Sequence, residues 1–351
     1  MQEPTKKVLI TGAAGWLGKR LSRLIALREI RPDLAAILPR TLHVRALILP
    51  DQDASELQAL GVEVVRGDLR NAADCQRFCE GTKSAVLLHT AGIIHPRRIK
   101  EFYEVNTQGT KNILGAAVKA ELRRAVVVSS NSPFGMNPTM EHRFDESAPY
   151  HPYMNYGRSK MQMELVVKET QRAGRIETVL LRAPWFYGPG QPPRQTLFFS
   201  MIRAGKVPIV GSGDNLRSMA YIDNLCEASL LAAFVERANG QTYWIADKRP
   251  YSMNEIIDVV EGLLEREFHM RVAHKRVRLP NVVSTGATFA DHLLQGLGIY
   301  NQKIHVLSEM NKTIACAITK AETDLGYDPQ ISLEEGMRRS VADCFARGME
   351  I

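Results

Sequence analysis

The stretch LITGAAGWLGKRL, residues 9–21, places Gly12, Gly15 and Gly18 between an apolar run and the start of a helical pattern. The run before it, KKVLIT (6–11), has the β-branched, unbroken character of a buried strand, and a helix is expected from about 15 to 30. A turn of glycines at such a junction lets the backbone approach a pyrophosphate closely. The helix start then offers unpaired N–H groups and the positive end of its dipole. The G-x-x-G-x-x-G spacing is one residue longer in its first step than the G-x-G-x-x-G fingerprint. Its place at the first strand–helix junction favours a dinucleotide over a plain tight turn.

Working outward, apolar strands are expected at 43–49, 62–67, 84–89, 124–130 and 177–183, with helical stretches near 53–60, 71–80 and 98–120. Strands that are apolar throughout and alternate with helices predict a parallel sheet covered on both faces. The fold class is therefore α/β, a Rossmann-type doubly wound sheet. After Pro184 the texture becomes Gly- and Pro-rich (APWFYGPGQPP, 183–193), with helices expected at 196–205, 222–236, 252–266 and 332–346. Residues 1–183 are read as the nucleotide-binding domain and 184–351 as a smaller, mostly helical substrate lobe interleaved with it.

The second strand runs into RALILPDQD (45–53), which offers Asp51 and Asp53 and no Arg beyond the strand. An acceptor there suits the ribose hydroxyls of NAD, whereas NADP prefers Arg, so NAD is expected over NADP with Asp51 as its ribose partner. The inserted RPDLAAILPR (31–40) makes the distance from Gly12 longer than usual. In GDL (67–69), Asp68 fits either the adenine edge or an ordinary helix N-cap.

With 45% hydrophobic and 24% charged residues over 351 positions, the chain is an ordinary globular protein carrying a net charge of +7. The basic residues are scattered. The densest patch, HKRVR (274–278), reads as solvated surface, and no nucleic-acid partner is expected. Five cysteines without a CxxC pair argue against disulfides or zinc, and the nine histidines show no metal-like spacing. No metal is expected. His89 and His95 read as loop residues. No signal segment or membrane-crossing stretch is evident, since the apolar run 282–300 is interrupted by Asp291, His292 and glycines. A cytoplasmic location and no membrane partner are expected.

Three signals stand in order along the chain: the glycine turn, VVVSSNSPFG (126–135) closing a strand, and YGRSK (156–160). Together with HTAG (89–92), VNTQGT (105–110), LRAPWFYGPG (181–190), RSMAYIDNL (217–225) and the late ITKAETDLGYDPQISLEEGMRRSV (318–341), they resemble the extended short-chain dehydrogenase/reductases of the NAD-dependent epimerase/dehydratase group. The resemblance implies that Tyr156 is the catalytic acid/base, Lys160 its partner, and Ser130 the hydroxyl that bonds the reacting oxygen. Ser129 and Ser132 remain open as alternatives to Ser130. Asn106 matches a helix Asn that holds a water near the lysine, or else it bonds backbone in a kinked helix. The same resemblance places Gly12, Ala14, Gly15, Trp16, Leu17, Gly18, Asp51, Asp68, Leu69, Thr90, Ala91, Gly92, Tyr156, Lys160 and Pro184 at the cofactor, and Ser130, Ser132, Trp185 and Arg217 at the substrate. Physical chemistry adds that a free phenol, with a pKa of about 10, is a poor base near neutrality. A lysine four residues along the same helix face, together with the positive nicotinamide ring of the cofactor, is expected to pull it down.

The implied chemistry is hydride transfer at a hydroxyl or keto carbon, with Tyr156 exchanging the proton. For the substrate, Arg217 ahead of SMAYIDN matches an Arg that binds the diphosphate of nucleotide sugars, which favours an epimerase or ketoreductase acting on such a sugar. The alternative is a 3β-hydroxysteroid dehydrogenase-like enzyme, for which RAPWFYGPG speaks, with Trp185, Phe186 and Phe198 lining an apolar pocket. A non-catalytic NAD sensor is a third reading. A homodimer through the tyrosine-bearing helix is expected by resemblance.

Overall fold

The computed structural model describes residues 6–351. The glycine turn lies where its sequence demands, between β1 (Lys7–Thr11) and α1 (Trp16–Leu27). The chain continues through α2 (Pro32–Ile37), β2 (His43–Ile48), α3 (Ser55–Ala59), β3 (Glu63–Arg66), α4 (Ala72–Cys79) and β4 (Val86–His89). A long helix then follows in three parts: α5 (Lys100–Phe102), a π-helical segment Tyr103–Gly109, and α6 (Thr110–Lys119). β5 (Arg124–Ser130), α7 (Met154–Arg172) and β6 (Glu177–Ala183) complete the first half.

Beyond residue 184 come β7 (Trp185–Tyr187), α8 (Pro193–Arg203), β8 (Pro208–Val210), β9 (Leu216–Arg217), β10 (Met219–Tyr221), α9 (Ile222–Phe234) and β11 (Thr242–Trp244). The remainder is β12 (Tyr251–Ser252), α10 (Met253–Arg266), β13 (Val277–Leu279), α11 (Asn281–Gly296), α12 (Gln302–Glu309), α13 (Thr319–Leu325) and α14 (Leu333–Ala346).

One seven-stranded sheet, in the order β11-β6-β5-β4-β1-β2-β3, organises the molecule, and every neighbouring pair is parallel. Both faces are apolar. Val8 and Ile10 of β1 pack with Leu21 and Ile25 of α1 and Leu225 of α9, while Leu9 points the other way toward Phe78, Ile113 and Met163. This alternation, with helices on each side, explains why every position of β4 and β5 is buried. β11 and α9 lie after residue 184 yet belong to the sheet and its helical cover, so the chain returns to its first half after starting the second.

The five cysteines are buried free thiols. Among the described residues no helix is long and apolar enough to cross a membrane, and no cluster of His, Cys, Asp or Glu is arranged to hold a metal ion.

Candidate active site

The cofactor cradle is built where backbones touch. Gly12 has φ +70°, and a Cβ there would lie 2.7 Å from the Ala91 Cα. A Cβ on Gly18 would lie 2.3 Å from the Gly12 carbonyl oxygen. Side chains are excluded at both positions, and the turn is closed by Gly15 N–H donating to the Gly12 carbonyl at 2.9 Å. No side chain caps the start of α1. The N–H groups after Ala14, at Trp16, Leu17 and Gly18, are thus placed to receive an anion, and the residues present fit a dinucleotide pyrophosphate. Thr90 Oγ1 donates to the Thr11 carbonyl at 2.7 Å and sets Ala91 and Gly92 beside the turn. Trp16 also donates its indole N–H to the Pro189 carbonyl at 2.6 Å, tying the turn to the loop after β7.

The adenosine end is mixed. Asp51 is exposed in the turn beyond β2, whereas Asp53 accepts from the Ser55 N–H and hydroxyl at 3.0 and 2.7 Å. The loop is shaped by Arg66, which donates to the carbonyls of Pro50 and Gln52 at 2.7 and 3.0 Å. Asp68 does not cap α4, because Asn71 does. Its carboxylate is held by the Arg70 guanidinium, whose hydrogen bonds push its pKa down. Leu69 is buried against Gly109, and its carbonyl accepts from Asn112 at 2.8 Å.

Of the two histidines expected in loops, His89 departs from that expectation and His95 does not. His89 ends β4 and is buried, bridging Thr11 Oγ1 at 2.7 Å and Thr110 Oγ1 at 2.9 Å. Burial, then the charge of Lys160, pushes its pKa down to about 3, so it is a neutral strut between strand and helix. His95, in the loop after β4, meets the Tyr300 hydroxyl at 2.9 Å and is pushed down to about 4, by burial first.

At the end of β5 three serines sort themselves. Ser129 is buried and donates to Glu164 Oε1 at 2.6 Å, within an ion pair between Glu164 and Arg182 (2.9 Å). Ser130 stands beside Ser132, their hydroxyls 3.3 Å apart, and lies close enough to the Tyr156 phenol to favour its ionised form. Gly157 makes this approach feasible, since a Cβ there would lie 2.5 Å from the Ser132 carbonyl oxygen.

Lys160 lies one helical turn beyond Tyr156, but its ammonium donates to the Val128 carbonyl at 2.9 Å and approaches Met163 Sδ at 3.1 Å. The lysine's share in lowering the phenol is corrected here, since its ammonium turns to Val128; the share expected of the nicotinamide ring belongs to the bound cofactor. Burial pushes Tyr156 up to about 12, against the nearby Ser130 hydroxyl, which favours the ionised form. Burial likewise pushes Lys160 down to about 8, offset in part by Glu164.

Asn106 sits in the π-helical segment and is committed to protein partners. Its Oδ1 accepts from the Ile93 N–H at 2.8 Å, and its Nδ2 donates to the Ile93 carbonyl and Ser159 Oγ, both at 3.1 Å. Of the two roles open to it, the geometry is that of a clamp between the loop after β4 and α7.

The far wall of the cleft comes from the C-terminal part. The Tyr300 ring meets Phe102 edge-on at 5.6 Å, and Phe102 in turn lies 5.6 Å from Tyr156. Pro184, buried at the end of β6, leads into Trp185, whose ring meets Phe198 at 5.7 Å. Arg217 donates to the Glu309 carbonyl, and burial lowers its pKa. Asn155, next to Tyr156, is gripped by Gln295 Oε1, which accepts from its N–H at 3.1 Å and its Nδ2 at 2.9 Å. Gln295 donates to Asp291 at 3.0 Å, and Asp291 pairs with His305 at 2.7 Å.

Sequence reasoning missed Arg194, Tyr300, Gln295 and Gly157. The first three reach the site from 38 to 144 residues away in the chain and carry no local signal. Gly157 stood inside YGRSK and could have been read as a close-approach glycine. Arg194 lies near enough to Tyr156 to favour its ionised form and makes no hydrogen bond or ion pair among the described residues.

Comparison with known proteins places the site in context. The sequence profile of the NAD dependent epimerase/dehydratase family matches residues 8–246. The uncharacterized protein y4nL of Sinorhizobium fredii is 54% identical over 97% of this chain and 96% of its own length. The 3beta-hydroxysteroid-dehydrogenase/decarboxylase isoform 1 of Arabidopsis thaliana is 28% identical over 97% of this chain and 80% of its own. Among solved structures, the UDP-glucose 4-epimerase of Thermotoga maritima superposes with a TM-score of 0.76 at 20% identity, covering 98% of this chain and 100% of the other. The chain is a member of the NAD dependent epimerase/dehydratase family, an NAD-dependent enzyme on a Rossmann-type sheet.

Proposed function

We propose that the protein oxidises or reduces a secondary carbinol or keto carbon on an apolar body, with Tyr156 as the group that exchanges the proton. The observation that carries the catalytic part is the meeting of Tyr156 with Ser130 at the end of β5. NAD, when bound in the Gly12–Gly18 cradle, accepts or returns the hydride. Ser130 orients the substrate oxygen toward the phenol, and Ser132 lies beside it. Lys160, buried and anchored on Val128, supplies positive charge beneath the helix. Residues 1–183, completed by α9 and β11, hold the dinucleotide, and the rest of 184–351 shapes the substrate pocket.

The apolar preference rests on the aromatic rings near Tyr156. Arg217 gives one terminal nitrogen of its guanidinium to the Glu309 carbonyl and keeps its other N–H groups, so it does not decide against a diphosphate. The part-buried rings of Tyr300, Trp185 and Phe198 offer aromatic surface, and Phe102, fully buried, backs Tyr300. The Arabidopsis relative, matched over nearly the whole chain, is a steroid dehydrogenase by name. A nucleotide sugar is the second reading. It is favoured by Arg194, a guanidinium near Tyr156 with no protein partner.

The deciding experiment follows NAD reduction with a panel of sterols and other apolar secondary alcohols beside UDP- and dTDP-sugars. It also follows product formation by chromatography, because an epimerisation leaves no net NADH. Turnover confined to the apolar alcohols is expected. Turnover confined to nucleotide sugars, with a KM raised about tenfold in Arg194→Ala, supports the second reading and removes the first.

A further inference from the structure

Glu164 is fully buried in α7, and the proton and hydride transfers give it no part. Its Oε1 accepts from the Ser129 hydroxyl at 2.6 Å and from Arg182 Nε at 3.2 Å. Its Oε2 accepts from the Tyr150 hydroxyl at 2.8 Å and from Arg182 Nη2 at 2.9 Å. Arg182 is buried too, its guanidinium 4.1 Å over the Phe134 ring. A buried ion pair seldom stabilises a fold more than apolar side chains of the same volume would. What distinguishes this one is where its partners lie.

They flank both reacting groups. Ser129 is the residue before Ser130, and it stands opposite Arg182 in the register of β5 with β6. Phe134 closes the turn that begins at Ser132. Tyr150 belongs to the segment that leads into α7 at Met154.

Along α7, Tyr156, Lys160 and Glu164 follow at intervals of four and share one face. The last two grip consecutive residues of one strand: Lys160 donates to the Val128 carbonyl at 2.9 Å, and Glu164 takes the Ser129 hydroxyl. Two such bonds fix how far α7 can slide along β5, and with it where Ser130 stands against Tyr156. The Lys160 ammonium itself meets only a carbonyl and the Met163 thioether, with no ion pair among the described residues. Glu164, one turn on, is the anion that balances it. Burial pulls the ammonium down to about 8, and Glu164 offsets part of that pull.

We propose that Glu164 is a positioning residue for the reaction, holding Ser130 in register with Tyr156 through Ser129 and holding the Lys160 ammonium charged. The inference rests on the assignment of Tyr156, Ser130 and Lys160 to the chemistry. Ser129 on β5, Arg182 on β6, Tyr150 ahead of α7 and Lys168 on α7 face Glu164. His89 on β4, which is neutral, faces Lys160. Arg194, Glu309 and Tyr300 face Tyr156.

The test joins two readouts. The first needs no substrate: nuclear magnetic resonance of isotope-labelled lysine, assigned with Lys160→Met, should show Lys160 titrating at about 8 in the wild type. Glu164→Gln should lower that value by about one unit. Glu164→Gln with Arg182→Met should lower it too, by less, in a protein that buries no unpaired guanidinium.

The second readout is turnover. Ser129→Ala cuts only the link to β5 and leaves Glu164 its bonds to Tyr150 and Arg182. With the panel substrate that turns over, it should lower kcat about tenfold, while KM, NAD affinity and the Lys160 titration stay as in the wild type. A Lys160 titration unmoved in both Glu164 variants overturns the proposal. So does wild-type kcat in Ser129→Ala when Tyr156→Phe is inactive. Tyr156→Phe turning over like the wild type is a different result: the catalytic assignment falls and takes the positioning role with it.

Discussion

β5 and α11 both reach the neighbourhood of Tyr156, and they bury opposite kinds of residue. β5 is RAVVVSS, with every position buried between two layers of helices. α11 turns Ser284, Asp291 and Gln295 inward and keeps its large apolar residues outside. The first wall is held mainly by apolar burial, worth about 1.5–3 kcal/mol for each fully buried Leu, Ile or Val. The second is held by a chain of hydrogen bonds, Asn155–Gln295–Asp291–His305, each contributing about 0.5–1.5 kcal/mol net. Of the groups proposed to act, Ser130 stands on the stiff wall and Tyr156 on α7 between the two, and the cover is the wall that yields first.

Mutations on the two walls should separate accordingly. The largest effect belongs to Tyr156→Phe, which should lower kcat by roughly 10²–10⁴-fold while leaving calorimetric NAD binding intact. Gly157→Ala forces α7 away from the Ser132 carbonyl and so moves Tyr156 off Ser130. We expect about a 10²-fold loss in kcat with little change in NAD affinity, and an unaltered kcat would show that the close approach is dispensable. In the stiff wall, Leu87→Ala in β4 should cost about 2–5 kcal/mol in global stability by urea unfolding.

In the soft wall, Gln295→Ala should cost less, about 1–3 kcal/mol, and locally. Hydrogen exchange should quicken in α11 and α12 while β5 stays protected. Equal quickening in β5 would erase the distinction between the walls. The smallest effect is on pH. Burial pulls the His305 imidazole down, but its bond to Asp291 and the charges of Glu309 and Asp291 more than offset this, and its pKa is raised. A raised folded value means the pairing contributes fully below the unfolded pKa of about 6.5. The contribution fades as pH rises through the folded value. Tyr300 and Tyr153 also meet this ring at tilted angles, and His95 lies close enough to feel its charge. Protection of α11, corrected for intrinsic exchange, should fall on the alkaline side, and Asp291→Asn should flatten that dependence.

The same contrast explains what the sequence disclosed. Strands buried on both faces are apolar without interruption, so VVVSS and VLLH announced themselves, and the strands of the sheet lie within two residues of their expected bounds. Only the edge strand β11, short and distant in the chain, escaped notice. α11 did not announce itself because its polarity is inverted and Gly286 and Gly296 interrupt it, so 282–300 read only as a broken apolar stretch. At the site, YGRSK and SSNS were legible as motifs. The direction of the Lys160 ammonium was not, because i and i+4 spacing fixes a helix face and not the carbonyl that a buried amine finds. Arg217 matched a motif position, yet its partner, the Glu309 carbonyl, lies 92 residues on.

The account turns on whether the Tyr156 phenol senses the dinucleotide. Nuclear magnetic resonance titration of ring-labelled tyrosine, assigned with Tyr156→Phe, reads this directly. In the protein alone the phenol should titrate at about 12, and saturation with NAD should lower it by about a unit or more. A Tyr156 titration that does not move when NAD fills its site would contradict the assignment of this residue as the acid/base.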